Sequence, residues 1–376
     1  MYVLLTGTKK NAGDFLIAHS AKKLFKKFAP DPEHIELPAW EPIGKHLEQV
    51  NSAKALILCG GPAYQSGIGK RIYPILDVLE SIKVPIISFG LGWKGIPGDD
   101  YDVKHYALPS YAEPLFERLR KDFKYAGCRD YLTWEVLRRY NFENALMTGC
   151  PCWYDPDHFG HGLVVPAEVK SIVFTPGEQP MFREQSIAMM KVVKELFPQA
   201  RIVCSFHRGW QVDEHTKPAN AENARYLKEQ AEKLGMEPRD VSGSVDGMLA
   251  YDQFDLHVGY RVHAHLKMLS MHKPSFLITE DGRGRGVLEA MGLPGVAGWK
   301  TPLPLKVCNR LLPHPTIRRA VRIASRPFSL NPQAPDQLKA LITEETNNSF
   351  TRFHGAISVI EATWKKMSEM LKLLPS

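Results

Sequence analysis

Short apolar runs alternate with amphipathic stretches along the first 155 residues of the chain. Each apolar run has the length of a buried strand, and the stretches between carry apolar residues three and four positions apart, as in a helix that buries one face. Helices are predicted at Asp14–Phe28, Tyr73–Ile82 and Tyr131–Tyr140. Strands are predicted at Tyr2–Thr6, His34–Leu37, Ala55–Cys59, Pro85–Phe89, Tyr125–Cys128 and Ala145–Thr148. This alternation predicts right-handed βαβ units in a mainly parallel sheet.

The same alternation begins again after a polar, Pro- and Gly-rich stretch, residues 151–168, that has the composition of a linker. Strands are predicted at Ser171–Thr175, Arg201–Phe206, Leu256–Gly259 and Pro274–Ile278. Helices are predicted at Met181–Leu196, Ala219–Leu234 and Val262–Met271, and the pattern of Gln337–Leu374 is largely helical. A second βαβ unit is therefore expected, followed by closing helices.

Two Rossmann-like halves, a linker and C-terminal helices describe the GT-B architecture, an α/β fold whose two parallel sheets face a central cleft. A chain of 376 residues is also longer than one hydrophobic core usually organises. We therefore predict domains at residues 1–155 and 171–330, a linker at 156–170, and C-terminal helices at 331–376. Ligands of such sheets bind beyond the carboxyl ends of the strands, so the chemistry is expected in the loops that follow them.

The composition is that of a globular protein, with 44% hydrophobic and 24% charged residues, and it excludes a disordered chain or a fibre. No segment approaches the ~20 apolar residues that a membrane span needs. The opening residues, MYVLLTG, have no basic leader and read as a strand instead of a signal peptide. A cytoplasmic protein is expected. The six cysteines are too few and too scattered for a disulfide framework, so we expect buried thiols and no metal site.

The net charge of +7 comes from one segment, residues 300–326. No acidic residue occurs between Met291 and Pro335, and without the basic residues of this segment the remaining 41 balance the 41 acidic ones. Such a stripe favours an anionic partner (lipid head groups, a pyrophosphate-linked substrate or nucleic acid), and a solvated basic face is an equally good interpretation. The seven residues are Lys300, Lys306, Arg310, Arg318, Arg319, Arg322 and Arg326.

Candidate chemistry in the first half lies after the first and fifth strands. The loop Gly7–Asp14 matches neither a dinucleotide fingerprint nor a Walker loop, so it gives little support to nucleotide binding. Asp14 is expected to cap the following helix; its alternative role is to accept a proton from a substrate hydroxyl. Arg129 suits a carboxylate or phosphate, and equally an ion pair with Asp130, which would then cap the next helix.

The second half carries the most informative segment, residues 257–286. Arg261 and His263 fall at the start of a predicted helix, where Arg261 can grip an oxyanion and His263 can move protons beside it. Arg283 and Arg285 follow in a predicted glycine-rich turn and would add positive charge to the same rim. The neighbouring helix residues His265, Lys267 and His272 are expected to have no catalytic role.

Together these segments resemble the polysaccharide pyruvyl transferase family, from about residue 1 to residue 290. The matching motifs are Asn11-Ala-Gly13-Asp14, Gly60-Gly61, Arg129-Asp130 with Thr133, Arg261-Val262-His263 and Lys273-Pro274. Pro62 stands where the family has a third glycine, Val262 where it has leucine, and Thr279-Glu280-Asp281-Gly282-Arg283 where it has Tyr-Asp-x-Lys.

The resemblance implies transfer of a pyruvyl group from phosphoenolpyruvate to sugar hydroxyls as a cyclic ketal, with release of phosphate and without metal or cofactor. Members act on surface polysaccharides or their lipid-linked precursors, so the basic segment would hold the enzyme against the inner face of the plasma membrane. Residues implied to bind phosphoenolpyruvate are Arg261, Arg129, Arg283, Gly60 and Gly61. Those implied to move protons are His263, His207 and Asp14, and those implied on the acceptor side are Lys10, Asn11 and Gly13.

Three other functions compete with this hypothesis. A GT-B glycosyltransferase with a nucleotide-sugar donor would share the fold and would use Glu280 or Asp281 to hold the ribose. A catalytically silent scaffold of an envelope-polymer assembly would need neither Arg261 nor His263. A nicotinamide dehydrogenase is the weakest candidate because the first loops lack dinucleotide spacing. Nucleic acid is not expected, since the basic stripe lacks interleaved aromatic residues.

Overall fold

The computed structural model of the chain describes residues 1–300, 320 and 330–376. In the first half, strands β1 to β4 form one parallel sheet in the order β2-β1-β3-β4. A shorter parallel pair, β5 and β6, continues beside it through a bridge between Leu91 and Cys128. The strands are β1 Tyr2–Thr6, β2 His34–Pro38, β3 Leu56–Cys59, β4 Ile86–Phe89, β5 Ala126–Cys128 and β6 Ala145–Met147.

The second half is a six-stranded parallel sheet in the order β12-β11-β10-β7-β8-β9. Its strands are β7 Ser171–Thr175, β8 Arg201–Phe206, β9 Glu237–Asp240, β10 Leu256–Gly259, β11 Ser275–Thr279 and β12 Val296–Ala297. In each half the strand order changes direction at one switch point. This point lies between β1 and β3 in the first half and between β7 and β10 in the second half. Ligands of open parallel sheets bind at such switch points.

The described helices cover the sheets and connect the two halves. Those of the first half are α1 Ala12–Phe28, α2 Leu47–Asn51, α3 Asp100–His105, α4 Glu113–Lys121 and α5 Tyr131–Arg138. Those of the second half are α6 Arg183–Leu196, α7 Pro218–Lys233, α8 Asp246–Leu249, α9 Val262–Ser270 and α10 Gly282–Met291. The chain closes with α11 Ala334–Asn347 and α12 Thr351–Lys372. None of the helices within the described ranges is long and apolar enough to cross a membrane.

All ten predicted strands are present, and the predicted α/β class with two parallel sheets is confirmed. Sequence reasoning missed β9, a polar edge strand that contains Pro238, and the two-residue edge strand β12. The helix predicted at Tyr73–Ile82 is wrong: only a 3-10 helix, Leu76–Ser81, forms there. Tyr73 has a positive φ of 52°, so it cannot be part of a right-handed helix.

Other expectations concern single segments. The glycine-rich turn predicted around Arg283 is wrong, because this segment is the first turn of helix α10. Pro151–Trp153, in the linker-like stretch, is buried as a 3-10 turn against α1 and α9, whereas residues 154–170 form no helix or strand. The expectation of buried thiols is confirmed for all five cysteines in the described ranges. Cys308 lies outside those ranges, as do six of the basic residues: Lys306, Arg310, Arg318, Arg319, Arg322 and Arg326.

Candidate active site

The loops at the two switch points meet where the halves join. Arg261 follows β10, and its Nη1 donates to Oε2 of Glu178, which follows β7, over 2.7 Å. Its Nη2 donates to Oδ1 of Asn11, which follows β1 in the first half, over 3.1 Å. Arg261 therefore links both halves through its side chain. Arg208, after β8, lies 2.9 Å from the other carboxylate oxygen of Glu178. Burial opposes ionisation of Glu178, yet Arg261 and Arg208 hold its pKa at about 2.

His263 packs directly on the first turn of α1. A Cβ at Gly13 would lie only 2.1 Å from Nδ1 of His263, so only glycine allows this approach. The imidazole is 6% exposed, and its Nε2 has no hydrogen-bond partner among the described residues. Burial, and then the positive charges of Arg129, Arg283 and Arg261, lower the pKa of His263 well below its usual value. The ring is therefore neutral and can accept a proton.

Arg129 is completely buried at the end of β5. Its Nε donates to Oδ2 of Asp130 and its Nη2 to the Trp93 carbonyl, each over 3.4 Å. Its Nη1 has no partner among the described residues. A Cβ at Gly92 would lie 2.1 Å from Nη2, so glycine is required for the guanidinium to fit. Asp130 caps α5 by accepting the Thr133 N–H over 2.7 Å, which confirms the predicted cap.

Three acidic or basic groups follow β11. Asp281 caps α10 and also binds Arg283, whose Nε and Nη2 donate to the carboxylate over 2.9 and 2.7 Å. Glu280 accepts the Glu178 N–H at Oε1 over 3.2 Å. Burial, reinforced by the negative charges of Asp281 and Glu178 and opposed by Arg261, raises the pKa of Glu280 to about 7. Glu280 is therefore a carboxyl group that is partly protonated near neutral pH.

Asp14 is not a helix cap, and that prediction is wrong. Helix α1 begins at Ala12 with Asn11 as its N-cap, which places Asp14 in the first turn. Burial raises the pKa of Asp14, although Arg208, a hydrogen bond from Asn11 and Arg261 oppose the shift. The carboxyl group is thus free of a capping role and lies within the field of the arginines.

Two other predicted site residues, His207 and Lys10, have partners of their own. Nε2 of His207 lies 2.9 Å from the Tyr251 hydroxyl, and burial lowers the pKa of His207 well below its usual value. The His207 carbonyl accepts the N–H of Ala12, which fixes the start of α1. Lys10 forms an ion pair of 2.7 Å with Asp213 across the halves.

Two cavities flank this junction. One, of about 390 Å³, belongs to the second half and is lined by Glu178, His207, Arg208 and Arg261 among others. The other, of about 340 Å³, belongs to the first half. Gly60 and Gly61 line the second cavity with positive φ angles of 59° and 74°, together with Asp14. The structure therefore places these glycines with Asp14 and apart from the cavity that Arg261 lines.

The sequence matches the family described as Polysaccharide pyruvyl transferase over residues 11–282, most of the chain. This chain belongs to the polysaccharide pyruvyl transferase family. It is accordingly a transferase that acts in polysaccharide pyruvylation. The matched range contains Asn11, Arg129, Arg261 and His263, all of which lie at the junction of the halves.

Solved structures similar to this pyruvyl transferase share little sequence with it. The UDP-GlcNAc 2-epimerase from Neisseria meningitidis bound to UDP-GlcNAc has 9% identity and a TM-score of 0.49, covering 99% of both chains. The S. aureus MnaA–UDP co-structure has 13% identity and a TM-score of 0.45, covering 93% of this chain and 97% of that one. The wall teichoic acid polymerase TagF has 14% identity and a TM-score of 0.39, covering 92% and 88%. All three TM-scores are low, so we draw no functional conclusion from these structures. No curated protein matches the chain.

At this junction the transferase has equal numbers of basic and acidic side chains. Lys94 adds a fifth basic group, and Arg283, followed by burial, lowers its pKa. The basic groups are Arg129, Arg208, Arg261, Arg283 and Lys94, and the acidic groups are Asp14, Asp130, Glu178, Glu280 and Asp281. Because the pKa values of Asp14 and Glu280 are raised, protonation of either group leaves the junction net positive. Within the described ranges, no group of three His, Cys, Asp or Glu residues could hold a metal ion.

Sequence reasoning did not predict Glu178 or Lys94 as site residues. Glu178 follows β7 by three positions, so the expectation of chemistry in the loops after the strands could have found it. Lys94 lies in the loop after β4, for which the same signal was available. Neither residue belongs to a motif of the resemblance, and their partners come from distant segments of the chain.

Proposed function

We propose that this pyruvyl transferase takes its pyruvyl group from phosphoenolpyruvate and releases phosphate. The observation that carries the proposal is the pair of unpartnered buried nitrogens, Nη1 of Arg129 and Nε2 of His263, in one cluster of basic residues. A buried guanidinium cannot escape its charge by losing a proton, so an unpaired N–H there favours an anionic ligand. Phosphoenolpyruvate supplies a carboxylate and a phosphate close together.

The arginines would contribute to binding such an anion in two ways. Arg261 and Arg283 are each held by a carboxylate, so they present fixed positive charge and little conformational entropy is lost when the ligand binds. Arg129 contributes a direct charge-assisted hydrogen bond from Nη1. When Glu280 or Asp14 is protonated, the junction carries net positive charge that the dianion neutralises.

The proposed reaction begins with protonation of C3 of phosphoenolpyruvate, which makes C2 electrophilic. A sugar hydroxyl then attacks C2 and loses its proton to a base, the C2–O bond to phosphate breaks, and phosphate leaves. Loss of phosphate leaves C2 as an oxocarbenium ion, which a second hydroxyl of the sugar attacks to close the cyclic ketal, and the proton of that hydroxyl passes to the group that protonated C3. His263 is the candidate for the base that accepts the hydroxyl proton, because its ring is neutral and its Nε2 has no partner among the described residues. Glu280, with its pKa near 7, suits the acid that protonates C3, and His207 and Asp14 remain further candidates for proton transfer.

We propose that the acceptor is a sugar of a bacterial surface polysaccharide or of its lipid-linked precursor. The proposal draws on the family membership. Enzymes of this kind would work in the cytoplasm, and the basic segment at residues 300–326 would hold the enzyme at the inner membrane face through anionic lipids. Neutralising Arg318, Arg319 and Arg322 should then abolish sedimentation with anionic vesicles, and unchanged sedimentation would contradict this membrane contact.

Transfer of label tests the function. Phosphoenolpyruvate labelled with carbon-14 is incubated with the protein and a panel of saccharide acceptors, and parallel reactions contain labelled nucleotide sugars. The proposal predicts phosphate release equal to label in the saccharide, and a mass gain of one pyruvyl unit minus water. Label transferred only from nucleotide sugars would replace it with glycosyl transfer.

A further inference from the structure

The cavity of about 340 Å³ in the first half is separate from the proposed binding site for phosphoenolpyruvate. It lies at the carboxyl ends of β1, β2 and β3, across the switch point between β1 and β3. Its walls come from Gly7 after β1, Trp40 after β2 and the Cys59–Ala63 loop after β3. This space includes the solvent at its opening, so a sugar ring bound there would lie against the wall and remain partly exposed.

Trp40 is held in place as part of the wall. Its indole Nε1–H donates to the Gly7 carbonyl over 3.2 Å. A Cβ at Gly7 would lie 3.4 Å from Nε1 of Trp40 and 3.5 Å from Cβ of Asp14, so the two side chains flank the same point. The indole of Trp40 therefore lies beside the Asp14 carboxyl group at the N-terminus of α1.

The opposite wall is a loop of fixed shape. The Tyr73 hydroxyl lies 3.1 Å from both the Cys59 and the Gly60 carbonyl oxygens, which ties the loop down. A Cβ at Gly61 would meet no atom within 4 Å, so the backbone there borders open space. The loop therefore offers bare main chain to a ligand without a side chain in the way.

The lining is nearly free of charge. Asp14 is its single charged residue, and the other lining residues are Gly7, Ile17, Ala39, Trp40, Cys59, Gly60, Gly61, Pro62, Ala63, Ile72 and Tyr73. A carboxylate or phosphate would find no cation among them and would be repelled by ionised Asp14. A pyranose ring fits this chemistry, because its C–H face packs on the negative face of an indole and its hydroxyls donate to a carboxylate.

We propose that this cavity holds one uncharged sugar ring of the acceptor, packed against Trp40, with a hydroxyl at the Asp14 carboxyl group. The assignment of the ring to the acceptor rests on the proposed function. Asp14 lies next to Gly13, which touches His263, so a hydroxyl held by Asp14 lies at the edge of the arginine cluster. Trp40 thus binds the ring, and Asp14, together with a lining that has no cation, favours neutral sugars over uronic acids.

Ligand-observed NMR tests the sugar site without any turnover. Saturation transfer is measured from the full-length protein to methyl β-glucoside, methyl β-galactoside and methyl β-mannoside, and to methyl β-glucuronide. We expect transfer to ring protons of at least one neutral glycoside and at least fivefold less to the glucuronide. Trp40→Ala should abolish the signal, and Trp40→Phe should keep part of it. Trp134→Ala is the matched control, since Trp134 also donates to a backbone carbonyl and is 38% exposed.

Three outcomes would overturn the site: equal signals from Trp40→Ala and wild type, equal signals from glucuronide and glycosides, or no neutral glycoside bound by the wild type. Circular dichroism of Trp40→Ala establishes that the variant folds, and Trp40→Phe gives the answer if it does not. The label-transfer assay tests the proposed function independently of the sugar site. If sugar binding depends on Trp40 but no pyruvyl group is transferred, the proposed function is contradicted and the sugar site stands. If transfer occurs and the acceptor KM is unchanged in Trp40→Phe and Trp40→Ala, the sugar site alone is contradicted.

Discussion

Arg129 shows how a single side chain sets the chemistry of this junction. Burial of a permanently charged group without complete pairing is costly, and such groups are retained where a ligand completes the pairing. Asp130 satisfies Nε of Arg129 weakly, at 3.4 Å, because its other oxygen caps α5. The remaining Nη1–H is the donor that the structure leaves for an anion.

Replacing Arg129 by glutamine should remove this donor and its charge. A charge-assisted hydrogen bond contributes about 1.5–3 kcal/mol, so kcat/KM for phosphoenolpyruvate should fall about 100-fold in a phosphate-release assay. Arg139→Gln is the control, because Arg139 is exposed and its guanidinium donates to the carbonyls of Lys104 and Tyr106. Equal losses in both variants would mean that Arg129 has no special role.

Glu280 gives a prediction about pH. Its pKa of about 7 in the folded protein exceeds the usual 4.5, so the folded state binds the proton more tightly than the unfolded state. The stability that this proton provides is complete below pH 4.5 and is lost as the pH rises through 7. Glu280→Gln should therefore raise the free energy of unfolding by about 3 kcal/mol at pH 8 and by less than about 0.5 kcal/mol at pH 4.5. Urea unfolding at both pH values measures this, and the same increment at both would contradict the raised pKa.

At the residue scale, the sequence predicted positions better than partners. Each of Arg129, Arg261 and His263 follows the carboxyl end of a parallel strand, and the carboxyl ends of the strands in both halves face the junction. The pairing of Arg261 with Glu178 could not be predicted, since it depends on which loops meet, whereas Asp130 is the sequence neighbour of Arg129. Asp14 was predicted as a cap because its residue type favours caps, but Asn11 ends the extended chain three positions earlier.

At the scale of elements, the contact between α1 and α9 joins the two catalytic halves. Gly13 of α1 lies against His263 of α9 at a distance that no side chain allows. Helix α10 shows the same principle: Gly282 packs against Trp93, and Gly286 packs against Asp130. Its glycines made this segment resemble a turn, but here they allow close packing, and the Asp281 cap starts the helix.

Substitution of Gly13 by alanine tests the contact of α1 with α9. The new Cβ would displace the His263 ring, so activity should fall at least 100-fold and the unfolding free energy by about 1–3 kcal/mol. Gly355→Ala in α12 is the control, because its Cβ would meet no atom within 4 Å and glycine is unfavourable inside a helix. That variant should gain about 0.5–1 kcal/mol. A Gly13→Ala enzyme with normal activity would contradict the close contact.

At the scale of the whole molecule, α12 is the element that both halves share. Near its end, Met370 lies against Gly127 of β5 in the first half. Near its start, the Phe353 ring meets that of Phe276 in β11 of the second half, with ring centroids 5.6 Å apart. The helix therefore contacts both halves, which the Arg261–Asn11 hydrogen bond also connects.

Phe353→Ala should accordingly destabilise the molecule and not just one half. Loss of a buried phenylalanine costs about 3–5 kcal/mol, and urea unfolding should measure a decrease of that size. His354→Ala, an exposed neighbour in the same helix, should change the free energy of unfolding by less than about 0.5 kcal/mol. A Phe353→Ala protein as stable as the His354→Ala protein would show that α12 does not hold the halves together.

The overall organisation was predictable because the apolar strands repeat with regular spacing in both halves. Which loops form the cleft followed from the parallel direction of those strands. The order of the strands did not follow, since β9 and β12 are too polar or too short to recognise in the sequence. The cavity beside Trp40 could not be predicted either, because three separate loops build it.

Isothermal titration calorimetry with phosphoenolpyruvate tests the central claim most directly, that the buried arginines at the junction bind this donor. We predict one site per chain in the wild type, a loss of binding in Arg129→Gln, and unchanged binding in Arg139→Gln and in Trp40→Ala. Heat from a nucleotide sugar with none from phosphoenolpyruvate, or phosphoenolpyruvate binding that survives in Arg129→Gln, would contradict the account.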